Sequence, residues 1–311
     1  MFAWIKKTGP TAAGYTLFIY IILILKGCAL QNTPQTIAEP KPYKTEVPFQ
    51  FDNKGILIST FWGTGKKEYK LYLDNHSPTW ANDYVLHSSA SVLKSKNFLY
   101  HTTTADGKVI EGDVYICNSM AIGAVNFKNI ALYNISNKTN EGRVDGAIGE
   151  NIMAEGIWKI DFNQQLLTVS SAIDSIKGME QAELLPAAFT EKGIEIEVSF
   201  RNNSKEKFEL DLGYNGSLIM PAREFASVTA GNKKTFTEAR RFSTPAGAST
   251  VENTIVRDSI RVGRQHFATL ISTNKLVKEK LIGLDFFNQF EFVVIDYINK
   301  AVYLSKKRLY Q

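Results

Sequence analysis

The feature that most constrains this chain is that it repeats itself. Lys54-Gly55-Ile56 opens a stretch that reaches Leu71-Tyr72-Leu73-Asp74, and Lys192-Gly193-Ile194 opens one that reaches Phe208-Glu209-Leu210-Asp211. Ser119, Ile122, Gly123 and Phe127 recur without a gap as Ser259, Val262, Gly263 and Phe267. Ala147-Ile148-Gly149 recurs as Leu281-Ile282-Gly283, and each triplet is followed by an acidic-aromatic pair, Asp161-Phe162 or Asp296-Tyr297. Four landmarks in one order, separated by about 134 to 140 positions, point to an internal duplication. The halves are placed at 46–178 and 179–311. With 44% hydrophobic residues over 311 positions there is enough apolar material for a core, and disorder is excluded as the main theme.

Within each half the period is that of strands. Ile194, Ile196, Val198 and Phe200 interleave with Glu195, Glu197 and Ser199, as a strand with one wet face requires. Gly63-Thr64-Gly65 and Asn202-Asn203-Ser204 separate strand-like runs and are predicted to be hairpin turns. The fold class is all-β, with short helices expected near Ser88–Lys94 and Gly283–Gln289.

The first residues read differently. Lys6 and Lys7, an apolar run from Tyr15 to Leu25 and then Gly27-Cys28 have the layout of a signal peptide over 1–27. The run is too short for a permanent span, which needs about 20 residues. Leu25-Lys26-Gly27-Cys28 resembles a bacterial lipobox, with Lys26 departing from its usual small or aliphatic residue; the resemblance implies lipidation of Cys28 and a membrane-anchored envelope protein, and the missing acidic run just after Cys28, set beside the surface-export signals of some lipoproteins, implies that it faces the periplasm. Residues 28–45, polar and bearing Pro34, Pro40 and Pro42, suit a tether. Three lysines of the leader contribute to a net charge of only +5, so no phosphate-binding field and no nucleic-acid partner is expected. The basic cluster Lys306-Lys307-Arg308 reads as a solvated tail. Cys28 and Cys117 can form neither a disulfide framework nor a thiolate zinc site, and His76, His87, His101 and His266 lack paired spacing, so no metal is expected. Ser91-Val92-Leu93-Lys94 matches a Ser-x-x-Lys pattern without its companion motifs, and Cys117 reads as a buried apolar residue of a strand.

Each half carries an aspartate where an apolar strand enters a turn, Asp74 in Leu71-Tyr72-Leu73-Asp74-Asn75-His76-Ser77 and Asp211 in Phe208-Glu209-Leu210-Asp211-Leu212-Gly213-Tyr214. If the halves pack about a pseudo-twofold axis, matched residues meet across it. Two carboxylates brought together split their titration, leaving one ionised as general base and one protonated as general acid. Such a pair can activate water against an amide carbonyl without cofactor or covalent intermediate.

At these residues the chain resembles the pepsin and retropepsin superfamily of aspartic proteases, in particular bacterial retropepsin-like proteins with two homologous lobes in one chain. The family's aspartate turn is followed, roughly 60 to 90 positions on, by a strand ending in two hydrophobic residues and Gly; here the intervals to Gly149 and Gly283 are about 75 and 72. The resemblance implies a bilobal fold of two β-barrel-like lobes and a peptidase with Asp74 and Asp211 as the catalytic pair. Asn75, His76, Ser77, Leu212 and Gly213 would support the turns, with Gly149 and Gly283 packed beside them. A flap would span Thr102–Val109, centred on Asp106 and Gly107. The family has Thr or Ser after the aspartate, whose hydroxyl bonds to the opposite lobe, and Gly next. Asn75 can donate and accept whereas Leu212 cannot, so the cross-lobe bond is expected on one side only. Gly213 keeps the family residue; His76 replaces it and is expected beside the pair, where its charge would favour ionisation. Two functions follow: a peptidase of the bacterial envelope, or a catalytically impaired descendant that binds peptide or protein between its lobes. A third is an anchored structural domain with a filled cleft. A single chain with both lobes needs no dimer to complete the site, so the body is expected to be monomeric.

Overall fold

A computed structural model describes residues 35–308 apart from 53–54, 64–66, 104–107, 135–143, 231–233 and 245–246. The leader, Cys28, Asp106 and Gly107, and the Thr64-Gly65 part of the first hairpin turn lie outside the described residues. Alternation yields strands as the sequence predicts. In Gly193–Phe200, Ile194, Ile196, Val198 and Phe200 are buried while the glutamates between them face out. The matching strand Gly55–Trp62 buries Ile56, Ile58, Thr60 and Trp62 in the same way.

Each of these strands turns back into the strand that ends at an aspartate. Gly55–Trp62 pairs antiparallel with Lys67–Leu73, and Gly193–Phe200 with Lys205–Leu210. The second turn passes through Asn203, which takes a positive φ of 64°. Each aspartate strand also has a parallel neighbour from late in its half: Leu73 lies opposite Ile148, and Leu210 opposite Ile282. A short strand, Trp80–Ala81 or Leu218–Ile219, then runs antiparallel to that neighbour and parallel to the strand beyond. The two halves thus repeat not only residues but an unusual crossing. Gly123 and Gly263, matched in the duplication, sit at tight turns with φ of 55° and 58°, a region that favours glycine over residues with a Cβ.

Long hairpins occupy equivalent places in both halves. Val92–Thr103 pairs with Val109–Ile122, and Thr235–Thr244 with Gly247–Val262. The sequence predicted such a hairpin only in the first half. Among the described residues the strands form two sheets, one of which contains a platform drawn from both halves. Ile157–Asp161 pairs antiparallel with Phe292–Asp296, Ile157 opposite Asp296 and Asp161 opposite Phe292. Because these strands are duplicates of one another, their self-complementary pairing puts the pseudo-twofold axis through this platform. The repeated acids have a local role there: Asp161 Oδ1 accepts from the backbone N–H of Asn163 and Gln164, and Asp296 Oδ1 from that of Asn299.

Four expectations need correction. The helix expected near Ser88–Lys94 lies at Asp83–Ser88, capped by Asn82, and Val92 already begins a strand. Val92 is buried while Leu93 is 60% exposed, so the two apolar residues divide between the faces of a sheet rather than share a helical stripe. A helix at Ala222–Val228 was not anticipated; only Phe225 and Val228 of it are buried, which is too few to make a strong periodic signal. The stretch read as tether joins the fold well before residue 45: Ile37–Glu39 pairs with Asn126–Lys128, and Ala38 and Tyr43 are buried. The C-terminal cluster is tied down, with Arg308 bonding Asn163 and Asn288, Lys306 near Glu291, and Lys307 over the Phe267 ring. The helix at Leu284–Phe287, with Gly283 as its N-cap, falls where it was expected.

Candidate active site

Both aspartates are delivered by the same local construction. The backbone N–H of Asp74 donates to Ile148 O and that of Asp211 to Ile282 O, each at 3.0 Å. After the aspartate the chain turns, and Ser77 N donates to Asp74 O as Tyr214 N does to Asp211 O, each at 3.3 Å. The turn's next amides grip the carboxylate: His76 N donates to Asp74 Oδ1 at 3.2 Å, Gly213 N to Asp211 Oδ1 at 2.7 Å, and Tyr214 N to the same oxygen at 3.1 Å. Ser77 Oγ donates to the Asp74 backbone carbonyl.

Gly149 and Gly283 stand against these turns. Glu150 N donates to Ser77 O and Leu284 N to Tyr214 O, each at 2.8 Å. A Cβ on Gly149 would lie 2.2 Å from Ser77 O, and one on Gly283 would lie 2.2 Å from Tyr214 O. Backbone occupies the space, so only hydrogen fits. This is the packing the sequence expected of the two glycines.

The carboxylates meet at Gly213. Its N–H holds Asp211, while a Cβ built on it would lie 2.6 Å from Asp74 Cγ. Burial is the first cause, and the charge of Asp74 the second, that raises Asp211 to about 7; burial likewise raises Asp74. The pair is therefore expected to titrate as a coupled unit rather than as two independent acids.

Asn75 makes two cross-lobe bonds where one was expected. Its Nδ2 donates to Leu210 O and its Oδ1 accepts from Leu212 N, both at 2.8 Å, so one buried amide grips the backbone on either side of Asp211. The Leu212 side chain is not needed for the link and is fully buried in the core. The correction has a simple cause: the partners are backbone groups, which a Leu possesses like any residue.

His76 acts by its charge on both aspartates and also reaches across the seam. Its Nε2 turns to the opposite half, 3.2 Å from Glu209 Oε2 and 3.9 Å from Glu279 Oε2. Burial disfavours its charge, but its nearness to Glu279 and the charges of Asp211, Glu209 and Asp74 outweigh this and raise the imidazole to about 9. Tyr297 was missed. It is buried, and burial, the charge of Glu150, its nearness to the Asn75 amide and the charge of Asp74 act on its hydroxyl, with a net upward shift. Its place in the repeated Asp296-Tyr297 landmark was the available signal.

The other candidates are ordinary. Cys117 is buried, and burial pushes its thiol up to about 12. Lys94 pairs with Asp113 rather than with Ser91. No cluster of three or more His, Cys, Asp or Glu able to hold a metal occurs among the described residues.

No family model matches this sequence, and no curated protein matches it. Its fold does match solved structures. An aspartic proteinase from Irpex lacteus superposes with a TM-score of 0.58 at 15% identity, over 85% of this chain and 98% of that one. The class that fold and strand crossing define is the bilobal, all-β, pepsin-like fold of aspartic proteinases.

Proposed function

We propose that this chain is an aspartic-type peptidase in which Asp74 and Asp211 activate a water for attack on a peptide carbonyl. The observation that carries the reading is the convergence of two symmetry-matched carboxylates, Asp211 buried and Asp74 half-buried, on Gly213. At a pH where the pair holds one proton, the ionised carboxylate takes a proton from the water as it attacks. The protonated one hydrogen-bonds to the carbonyl oxygen as it gains negative charge, and a proton then passes to the leaving amine. No metal or cofactor enters.

Incubating the full chain with a degenerate peptide library at acidic and neutral pH tests this, beside Asp74→Asn and Asp211→Asn. Cleavage abolished in both variants supports it. Cleavage unaffected by either substitution overturns it.

A second reading has a specific observation in its favour, the half-buried cationic ring of His76 where the family has Gly. It makes the protein a binder of peptide or protein that has lost cleavage, and retention of library peptides without turnover would mark it. We further propose that residues 1–27 are removed and that lipid on Cys28 anchors the body to the cell envelope, facing the periplasm. A fatty-acid label incorporated by the wild type and lost in Cys28→Ser would support this.

A further inference from the structure

We propose that His76 is a positioning residue for the carboxylate pair: its imidazolium, clasped by Glu209 and Glu279 of the opposite half, pins the first aspartate turn against the second and supplies positive charge that eases the pair's second ionisation. Its effect on catalysis rests on the peptidase reading above; its electrostatics do not.

The clasp is built across the seam. Glu209 lies on the strand Lys205–Leu210, two residues before Asp211 at its end, and Glu279 lies just before the parallel strand Leu281–Ile282 that flanks it. The ring, 20% exposed, crosses to this edge with Nδ1 against Gly193, where a Cβ would come within 3.3 Å. Nδ1 itself has no hydrogen-bond partner, so the clasp works through Nε2 alone.

Among the described residues, every titratable group that acts directly on the ring is acidic: Asp74 from its own turn, Asp211 and Glu209 from the second aspartate strand and its end, Glu279 before the flanking strand, and Glu150 from the helix Glu150–Met153. Lys192 and Glu195 act on Glu209, and Lys300 acts on Glu150. One base among five acids is the arrangement that keeps an imidazole charged. The influence is reciprocal, since His76 lowers Asp74, Asp211, Glu209 and Glu150 against the upward pull of their burial. Two adjacent carboxylates resist losing their last proton, and a neighbouring cation weakens that resistance. Without it the pair should hold that proton to higher pH.

The test is a nuclear magnetic resonance titration of the full chain in detergent micelles, with carbon-13 in His and in Asp carboxyls. The chain has 4 histidines, and the His76 signal is the one missing from His76→Gln. The expected result is a His76 midpoint well above the ordinary value of about 6.5, falling in Glu209→Gln and in Glu279→Gln. The upper midpoint of the aspartate pair should rise by about one pH unit in His76→Gln, and the alkaline limb of peptide cleavage should follow. A wild-type His76 midpoint near 6.5, or an aspartate titration indifferent to His76→Gln, overturns the proposal. Titrations as expected with no cleavage in any variant would sink the peptidase reading and leave this one standing. Should His76→Gln fail to fold, Glu279→Gln keeps the histidine, and an aspartate titration it leaves unmoved while the His76 midpoint falls through it counts against the proposal.

Discussion

At the scale of single residues, Asn75 shows how little side-chain chemistry a seam needs when backbone is within reach. Asn75→Ala leaves the buried Leu212 N–H and Leu210 C=O unpaired, a cost of about 2–4 kcal/mol, to be read from urea denaturation. Titration adds a second prediction. Asp211 is raised in the folded state to about 7, chiefly by burial and then by Asp74, so the folded protein binds more protons than the unfolded chain between the unfolded value, about 4, and 7. Its contribution is full below about 4 and is lost as pH rises through 7. His76, raised to about 9, contributes fully below its unfolded value of about 6.5, and this is lost as pH rises through 9. Stability should therefore fall across this whole range, with Asp211→Asn flattening the lower part and His76→Gln the upper. A wild type whose denaturation midpoint rises between pH 5 and 8 would contradict both assignments.

At the scale of elements, the decisive unit is the aspartate strand with its parallel neighbour and the glycine that ends it. Gly149→Ala or Gly283→Ala would drive a methyl into the carbonyl of Ser77 or Tyr214, which is backbone and cannot rotate away. Each should destabilise by about 3 kcal/mol or more and displace its aspartate, seen as a lowered melting temperature together with lost cleavage. Gly213→Ala should harm cleavage more than folding, because its methyl meets the Asp74 carboxylate rather than backbone. The strands were legible in the sequence because half-buried strands impose a period of two. Of the helices, the one at Leu284–Phe287 was legible, whereas Glu150–Met153, Asp83–Ser88 and Ala222–Val228, whose few buried residues write no clear period, were missed or misplaced.

At the scale of the whole molecule, the duplication closes on itself through the pairing of Ile157–Asp161 with Phe292–Asp296. Glu183–Leu185 extends the same sheet beyond the C-terminal strand Ala301–Leu304. A half expressed alone would leave an apolar five-residue edge strand unpaired, carrying Trp158 and Ile160 or Val293 and Ile295, which favours aggregation. Residues 35–178 and 179–311 produced separately should lack a folded near-ultraviolet circular dichroism spectrum and regain it when coexpressed. Either half folding alone with native signal would show that the seam is not needed for the core.

The sequence by itself determined the repeat, the all-β character, the two aspartates at strand ends and the two glycines that follow them, because these are written in residue spacing and alternation, which local sterics impose on neighbours in the chain. The tertiary structure alone decided that Asn75 grips both sides of Asp211, that His76 reaches across to Glu209 and Glu279, and that Tyr297 comes near Asn75 and Asp74. Those contacts join residues far apart in the chain, and four of the groups involved are backbone atoms or carboxylates whose partners no spacing reveals. Where a side chain goes once two surfaces meet depends on the space and charge the other surface leaves it, and a linear pattern carries neither.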